Sequence, residues 1–397
     1  MKRVGVIGGG QLAWMMAGAA QKLGIQLVVQ TPSPNDPAVT IASETIFAPI
    51  DDAAATAKLA TRCDVITFEN EFVNLEALSP LVEQGVCFRP GLQVLSPLLD
   101  KYYQRCYLKQ LNLPVPKFIA LDWDNIGEIE ELLLQAQLHF PLVLKARRHG
   151  YDGQGTFIVQ DIAALKHRLE PYATQQKFQS LFLLEEFVLF ERELAVIAAR
   201  SAAGEIVTYP IVETQQESQV CRRVLVPADI SSTVTAEIEA IAHTLLNSLQ
   251  PVGVFGIELF LTPDGKVLVN EIAPRTHNSG HFTLDACETS QFEQHLRTVC
   301  DLPLGNTALV GKGAVMVNLL GYEYSQNDYL VKRQQLSQIP RSHVHWYGKS
   351  ESRPGRKLGH VTVLLDTWNQ TEAAASAFSA GVAIAQTIES LWYGDQE

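Results

Sequence analysis

The sequence predicts a mixed fold, in which an α/β domain built on a parallel sheet is followed by α+β regions. Three observations lead to this fold class. Short apolar strands alternate with helices over residues 1–98, a strand-rich stretch runs from about residue 190 to 272, and Pro263-Asp264-Gly265 separates two strands rich in branched apolar residues. Strands that alternate with helices indicate a parallel, doubly wound sheet. A chain of 397 residues can hold two or three domains, and we expect them at 1–98, 99–189 and 190–397.

Composition limits the classes of function. The chain is 47% hydrophobic and 19% charged, which is ordinary for a soluble globular protein, and its net charge of −12 argues against a general nucleic-acid binder. Six cysteines without a CxxC pair predict reduced thiols, as inside a cell. The apolar N-terminus is interrupted by Gly8-Gly9-Gly10, unlike a secretory signal, and we find no other run long enough to cross a bilayer. We therefore expect a cytoplasmic protein with no nucleic-acid or membrane partner.

The N-terminal domain carries a glycine turn after its first strand. We predict strands at 3–7, 25–29 and 64–68, and helices at 12–23 and 51–62. The turn matches a dinucleotide fingerprint only loosely, and the second strand ends in Gln30-Thr31, where an NAD site has an acidic residue. Two interpretations of the turn remain open. The helix N-terminus can hold a phosphate-bearing substrate, or the turn simply needs glycine for its geometry.

Glu69 directly follows the strand at 64–68. Ligands of open α/β sheets bind at the carboxyl ends of the strands. Glu69 is therefore a candidate for binding the hydroxyl groups of a ribose, and loop capping is the alternative.

The middle region has two candidate nucleotide-binding features, after a predicted helix at 100–111. A strand at 140–145 ends in Lys145 and leads to a loop with three glycines at 150–155. Such a loop can fold its N–H groups over phosphates, although no Gly-Lys-Ser/Thr makes it a P-loop, and a plain hairpin turn is the alternative. A second strand at 181–188 carries Glu185 and Glu186, and Glu193 follows. It can offer backbone groups to an adenine and a carboxylate to its ribose, but an ordinary edge strand fits equally.

The hairpin around Pro263-Asp264-Gly265 places two acids together. If Asp264-Gly265 is a two-residue turn, Pro263 faces Lys266 and Glu258 lies directly opposite Glu271. Like charges opposite each other destabilise a sheet unless a cation lies between them. Mg²⁺ bound by carboxylates and nucleotide phosphates is the economical answer, and a solvated strand face is the alternative.

The C-terminal part contains predicted helices at 235–248 and 291–300 and a basic cluster after residue 348. Lys349, Arg356 and their basic neighbours stand out in an acidic protein. They predict a grip on a phosphate group, with a solvated basic loop as the alternative.

Six motifs carry a family resemblance. They are Gly8-Gly9-Gly10-Gln11-Leu12, Phe68-Glu69-Asn70-Glu71, Gly150-Tyr151-Asp152-Gly153-Gln154-Gly155, the segment NEIAPRTHNSGH from Asn270 to His281, Ser290-Gln291-Phe292-Glu293 and Gly355-Arg356-Lys357-Leu358-Gly359-His360. The parallel N-terminal domain, the lysine-ended strand before a glycine loop, the Glu185-Glu186 strand and the paired acids of the late hairpin together resemble the ATP-grasp superfamily. More narrowly, the six motifs are similar to those of the N5-carboxyaminoimidazole ribonucleotide synthetases. The resemblance covers nearly the whole chain, and NEIAPRTHNSGH is its most specific part.

The resemblance implies an ATP-grasp architecture with an N-terminal parallel-sheet domain and a reaction of purine biosynthesis. ATP phosphorylates bicarbonate to carboxyphosphate, and the exocyclic amine of 5-aminoimidazole ribonucleotide receives the carboxyl group by way of released CO₂. It also implies ATP, Mg²⁺ (with Mn²⁺ as an alternative) and a homodimer. Catalysis then lies mainly in positioning the reactants and neutralising the transferred phosphoryl group.

The resemblance also implies residue roles. Glu258 and Glu271 would bind the metal, and Arg275, His277 and Lys349 would act on bicarbonate and carboxyphosphate. ATP would be bound by Lys101, Lys145, Gly150, Tyr151, Asp152, Gly153, Gln154, Gly155, Thr156, Glu185, Glu186, Phe187, Val188, Glu193, Asn270 and Glu271. The ribonucleotide would be bound by Gln11, Leu12, Glu69, Tyr151, Asp152, Asn278, Lys349 and Arg356.

Three rival functions differ from the carboxylase in testable ways. A formate-dependent glycinamide ribonucleotide transformylase would share the ATP-binding core but use formyl phosphate. A catalytically silent nucleotide-binding regulator would be expected to lack Lys145 or one of the metal carboxylates, and the chain has all three. A dehydrogenase is the weakest option because of Gln30-Thr31.

Overall fold

The structure is a computed structural model that describes residues 1–121, 128–148, 155–172, 182–217, 219–365 and 375–394. Within these ranges the strands form three sheets. None of the helices in this part of the chain is long and apolar enough to span a membrane.

The first sheet is parallel, as predicted for the N-terminal domain. Its order is β3-β2-β1-β4, and every neighbouring pair runs in the same direction. The predicted helix at 12–23 is interrupted at Met15 and Met16, so two shorter helices stand in its place. The elements are β1 (Arg3–Ile7), α1 (Gln11–Trp14), α2 (Ala17–Leu23), β2 (Gln26–Thr31), β3 (Glu44–Phe47), α3 (Ala53–Ala60), β4 (Val65–Phe68), α4 (Leu75–Glu83) and α5 (Leu92–Leu95).

The second sheet is antiparallel and has the order β5-β8-β6-β7. The helix that precedes it starts after Asp100, whose carboxylate caps the N–H groups of Tyr102 and Tyr103. Leu108 of this helix packs into the core of the third sheet, so the helix joins two parts of the molecule. The elements are α6 (Lys101–Gln110), β5 (Phe118–Leu121), α7 (Ile129–Gln135), β6 (Leu142–Ala146), β7 (Thr156–Val159), α8 (Ile162–Leu169) and β8 (Phe182–Glu186).

The third sheet is large and antiparallel, with the order β14-β13-β9-β11-β12-β15-β17-β16 and with β10 paired to β9. The sequence predicted strands before residue 273, but the strands after it were missed. Those strands extend the same sheet. The elements are β9 (Arg192–Arg200), β10 (Ile206–Thr208), β11 (Val212–Glu217), β12 (Val220–Val226), α9 (Ser232–Leu249), β13 (Gly253–Leu261), β14 (Val267–Ala273), α10 (Thr283–Ala286), α11 (Gln291–Val299), β15 (Gly313–Leu320), α12 (Leu330–Leu336), β16 (Ser342–Trp346), β17 (Lys357–Leu365) and α13 (Ala375–Tyr393).

The hairpin between β13 and β14 differs from its prediction near the turn. The loop has three residues, because Thr262 rather than Pro263 faces Lys266 and donates its N–H to the Lys266 carbonyl at 2.9 Å. Gly265 adopts a φ of +80°, which glycine accepts without strain. The predicted two-residue turn is therefore wrong, and Leu261 pairs with Val267.

A bulge in β14 then corrects the register. Leu259 pairs with Val269, but Glu258 pairs with Glu271, so Asn270 is the extra residue. The predicted opposition of Glu258 and Glu271 is confirmed, although the turn from which it was derived is different.

Helix α11 connects the third region to the N-terminal domain. Phe292 and Leu296 are buried in the same apolar cluster as Val4 and Met16. The amphipathic pattern of a helix predicts that one face is buried, but only the fold shows which domain covers it. This packing holds the parallel sheet against the strand ends that carry the candidate site.

Candidate active site

A cleft of about 1310 Å³ lies where the three sheets meet. It gathers residues from strands β6, β7, β8, β9, β11, β13 and β14 and from the segments that follow β4 and β14. Most of the predicted site residues line it, namely Gln11, Leu12, Glu69, Lys101, Lys145, Thr156, Glu185, Glu186, Phe187, Val188, Glu193, Glu258, Asn270, Glu271, Arg275, His277 and Asn278.

The opposed acids Glu258 and Glu271 meet two lysines from other elements. Lys101, the first residue of α6, places its Nζ 2.5 Å from Oε2 of Glu271. Lys145 at the end of β6 donates to Oδ1 of Asn270 at 3.1 Å. The bulge residue Asn270 thus lies between a lysine and Glu258, whose Oε2 is 3.5 Å from the Asn270 amide. The two acids and the two lysines therefore form one cluster in which negative and positive side chains alternate.

The two acids have different proton affinities. Burial, followed by repulsion from Glu271, raises the pKa of Glu258 to about 7. Burial also raises the pKa of Glu193 to about 7, with repulsion from Glu258 as the next cause. Burial alone would raise the pKa of Glu271, but attraction and a hydrogen bond from Lys101 outweigh it and lower that pKa. A cation at Glu258 would displace a proton and relieve the repulsion.

Glu185 is paired with two basic side chains, which the sequence analysis did not predict. Its side chain is 2% exposed and accepts from Nε of Arg105 at 2.5 Å and from Nζ of Lys145 at 2.6 Å. Burial would raise its pKa, but these two cations lower it to about 2. Burial in turn lowers the pKa of Lys145. Glu185 therefore holds Lys145 at the cleft wall.

The segment after β14 is anchored from both sides. Nε of Arg275 lies 2.8 Å from Oε1 of Glu71, beyond the end of β4. Nε2 of His277 lies 3.4 Å from Oε1 of Glu258, and its Nδ1 shares a hydrogen bond with the Ser279 hydroxyl at 2.9 Å. A Cβ at Gly256 would lie 2.5 Å from the Cβ of His277, so the close approach of this segment requires glycine there. The Arg275 guanidinium and the His277 imidazole therefore lie beside the acid pair.

The glycine turn after β1 packs tightly around Glu69. Gly8 has a φ of +112°, and a Cβ there would lie 2.7 Å from Oε2 of Glu69. A Cβ at Gly10 would clash with the same carboxylate, and one at Gly9 would lie 2.5 Å from the Thr31 hydroxyl. The turn therefore needs glycine for its geometry. Gln11 and Leu12 still line the cleft, so this does not exclude a phosphate-bearing substrate there.

Some predicted residues lie elsewhere. Lys349 donates to the carbonyl of Lys357 at 2.7 Å, and Arg356 bonds to the Glu351 carboxylate at 2.9 Å. Neither belongs to the cleft wall in the part of the chain that the structure describes, nor does Gly155, whose carbonyl accepts from the N–H of Ala146. The predicted loop residues Gly150, Tyr151, Asp152, Gly153 and Gln154 fall outside the described residues.

Two charged residues of the cleft wall stand within motifs of the sequence analysis but were not assigned to the site. Lys357 lines the cleft from the start of β17, and Glu71 holds Arg275. The sequence of a motif does not by itself show which of its charged residues faces the cleft. A residue's direction follows from strand pairing, here between β17 and β15.

Comparison with protein families divides the chain into three matched parts. Residues 1–96 match the ribonucleotide synthetase preATP-grasp domain, and residues 106–292 match the ATP-grasp domain. Residues 314–374 match the phosphoribosylaminoimidazole carboxylase C-terminal domain. The ATP-grasp architecture expected from the sequence is confirmed.

Individual relatives cover almost the full chain. An N5-carboxyaminoimidazole ribonucleotide synthase of Synechococcus elongatus is 54% identical over 392 residues, covering 99% of this chain and 96% of the relative. A solved ADP complex of an N5-carboxyaminoimidazole ribonucleotide synthetase is 34% identical, with a TM-score of 0.87 and coverage of 100% and 98%. The Aspergillus clavatus N5-carboxyaminoimidazole synthase, solved with ADP and 5-aminoimidazole ribonucleotide, is 30% identical, with a TM-score of 0.85 and coverage of 97% and 99%.

Proposed function

Since this chain belongs to the N5-carboxyaminoimidazole ribonucleotide synthase family of ATP-grasp ligases, we propose that its cleft carboxylates the exocyclic amine of 5-aminoimidazole ribonucleotide with ATP and bicarbonate. The observation that carries the proposal is the cluster of Glu258, Glu271, Lys101 and Lys145, beside which Arg275 lies. Such a cluster suits the binding of a metal–nucleotide phosphate and a small anion next to each other.

ATP lies along the walls formed by β6, β8 and β9. The backbone from Glu185 to Val188 receives the adenine, and Glu193 receives the ribose hydroxyls. Lys101 and Lys145 bind the phosphates, and Thr156 lines the cleft beside them. The family resemblance assigns residues 150–155 to the same phosphates. Lys145 is held in place by Glu185 at 2.6 Å, so little side-chain freedom is lost when the phosphate binds.

Mg²⁺ fits the opposed acids, and Mn²⁺ is an alternative. Glu258 and Glu271 provide carboxylate oxygens, and Asn270 adds an amide oxygen. The pKa of Glu258 is raised first by burial and then by repulsion from Glu271, and a cation between the two acids would relieve that repulsion. When bound, the ion would neutralise charge on the phosphoryl group during transfer.

Bicarbonate lies by Arg275 and His277, at the edge of the acid pair. A bicarbonate oxygen attacks the γ-phosphorus of ATP, which forms carboxyphosphate and releases ADP. Carboxyphosphate then breaks down to CO₂ as phosphate leaves, and the amine nitrogen of the ribonucleotide bonds to the carbon of CO₂ and gives up a proton. Arg275 and His277 hold the anion for both steps, because they lie within the segment anchored by Glu71 and Glu258.

The ribonucleotide lies on the N-terminal side of the cleft. Gln11, Leu12, Glu69 and Asn278 line that side. The family resemblance adds Tyr151 and Asp152, which lie outside the described residues. We assign its 5′-phosphate to the basic cluster of Lys349, Arg356 and Lys357. Only Lys357 of these three belongs to the described cleft wall, so Lys349 and Arg356 must change partners to reach the phosphate.

Location and assembly are inferred from general features. Six free cysteines and a net charge of −12 suit the reducing cytoplasm, and we place the reaction there. We also infer a homodimer from the family resemblance.

The direct test is ADP release with 5-aminoimidazole ribonucleotide in the presence of bicarbonate, of formate, or of neither. We expect turnover to depend on bicarbonate. Formate-dependent turnover with glycinamide ribonucleotide would instead identify a transformylase, and nucleotide binding without turnover under any condition would identify a silent binder.

A further inference from the structure

Three histidines and an aspartate meet outside the cleft, between β16, β17 and α10. His343 and His345 are two residues apart on β16 and so share one face of the strand. His345 pairs directly with His360 of β17, and their rings stack with centroids 4.5 Å apart. Asp285 of α10 covers them. Its Oδ2 lies 2.9 Å from Nε2 of His345, and its Oδ1 lies 3.4 Å from Nδ1 of His343.

His360 has a buried ring nitrogen without a partner. The side chain is fully buried, and Nδ1 shares a hydrogen bond with the Tyr347 hydroxyl at 2.8 Å. Its Nε2 has no hydrogen-bond partner among the described residues. An unpaired buried polar atom costs free energy. If the Tyr347 oxygen accepts the proton of Nδ1, then Nε2 keeps a lone pair that can bind a metal.

We propose that Asp285, His345 and His360 form a zinc site. One donor atom from each of these three residues lies within 4.8 Å of the others. Two imidazoles and a carboxylate are ligands that Zn²⁺ prefers, at about 2.0–2.2 Å. Nε2 of His345 and Oδ2 of Asp285 are 2.9 Å apart, so they need to separate by only a few tenths of an ångström to reach the spacing of about 3.3 Å between two ligands of a tetrahedral zinc ion. The His360 ring would turn within its stack to complete the set. His343 contacts the other oxygen of Asp285, and a water molecule would supply the fourth ligand.

This site differs in chemistry from the acid pair in the cleft. Mg²⁺ prefers oxygen ligands and keeps several waters, so it competes poorly for two imidazoles. Zinc at Asp285 would also join α10 to strands β16 and β17. Helix α10 begins two residues after His281, which lines the cleft, so the ion would fix the C-terminal strands beside the substrate side. The side chains of His343 and His345 are 44% and 24% exposed, which leaves a path for the ion.

The test is a titration of the chelator-treated full chain with ZnCl₂ by isothermal calorimetry in saturating Mg²⁺, which occupies the acid pair. We expect one zinc ion per chain, and a tetrahedral absorption spectrum when Co²⁺ replaces zinc. His345→Ala and Asp285→Asn should each weaken zinc binding by at least about 100-fold, more than the loss usual for a residue that only supports a ligand. Far-ultraviolet circular dichroism checks that both variants are folded.

His167→Ala is the matched control. His167 also lies beside a carboxylate, with its Nδ1 3.3 Å from Glu170, but this pair is exposed and belongs to no group of three metal ligands among the described residues. Zinc binding should be unchanged in this variant. The proposal is overturned if the wild type binds no zinc in Mg²⁺, or if His345→Ala binds it as tightly as the wild type. Neither result depends on turnover, so the carboxylase proposal can fail or stand separately.

Discussion

Glu258 and Glu271 face each other across β13 and β14 because a bulge at Asn270 cancels the offset of a three-residue turn. Without the bulge, the register set by the turn would place Asn270 opposite Glu258. The extra residue therefore decides which side chain completes the acid pair. Bulges occur next to active sites, where they redirect side chains.

Replacing Glu271 should remove activity while leaving the hairpin folded. Glu271→Gln keeps the shape of the side chain but removes one of two opposed charges, so we expect bicarbonate-dependent ADP release to fall by roughly 100-fold or more, the scale usual for loss of one electrostatic group in a site. The matched control is Asp264→Asn in the same hairpin, where the carboxylate contacts only exposed turn residues. Equal activity of Glu271→Gln and wild type would contradict the metal assignment.

The acid pair should destabilise the metal-free chain at alkaline pH. The pKa of Glu258 is about 7 in the folded chain and 4.5 without the fold, so between these values the folded state binds more protons and its stability falls as pH rises. The variant Glu258→Gln cannot ionise at this position. At pH 8 without Mg²⁺, its melting temperature should exceed that of the wild type by roughly 2 °C.

The difference in melting temperature between Glu258→Gln and the wild type should depend on pH and on Mg²⁺. It should shrink as pH falls towards 4.5, because the carboxyl group of Glu258 is then as neutral as the amide that replaces it, and Mg²⁺ should raise the melting temperature of the wild type alone. A difference that persists at pH 4.5 would show that the substitution acts through packing and not through charge.

Replacing Glu185 should lower the free energy of unfolding more than replacing Glu186. Glu185→Gln leaves Arg105, which is 2% exposed, without its buried counter-charge. Loss of one partner of a buried pair costs about 3–5 kcal/mol, which urea denaturation can measure. The control is Glu186→Gln, because Glu186 is only partly buried and its side chain accepts from the Lys117 N–H.

The effect of Glu185 should also weaken in acid. Its folded pKa of about 2 lies below the ordinary 4.5. Its contribution is therefore complete above pH 4.5 and is lost as pH falls towards 2. An effect equal to that of Glu186→Gln at pH 7 would contradict the structural role.

The residues of the basic cluster should differ in how much they contribute to binding the ribonucleotide. Lys357 lines the cleft, so Lys357→Ala should raise the KM for the ribonucleotide by about 10-fold or more, since one charge-assisted contact to phosphate contributes about 1.5–3 kcal/mol. The KM for ATP should change little. Steady-state kinetics with each substrate varied in turn provides both values.

Arg356→Ala is the informative comparison for Lys357→Ala. If Arg356 stays with Glu351 when the substrate binds, this variant will behave as wild type. If it raises the same KM, Arg356 leaves Glu351 for the phosphate, as the family resemblance implies.

The sequence by itself determined the parallel N-terminal sheet, the hairpin that carries Glu258 and Glu271, and a set of site residues most of which line the cleft. These features depend on local patterns, such as apolar strands between helices and polar residues at strand ends. The specific NEIAPRTHNSGH segment extended that prediction to a family, because its charged residues lie next to one another in the chain.

Only the tertiary structure decided the rest. The Asn270 bulge, the Arg105–Glu185–Lys145 cluster, the place of Lys357 and the meeting of Asp285 with His345 and His360 all join residues distant in sequence. Such contacts depend on strand register and helix packing across the whole chain. A one-residue change in register turns a side chain to the other face of a sheet, and no local pattern contains that information.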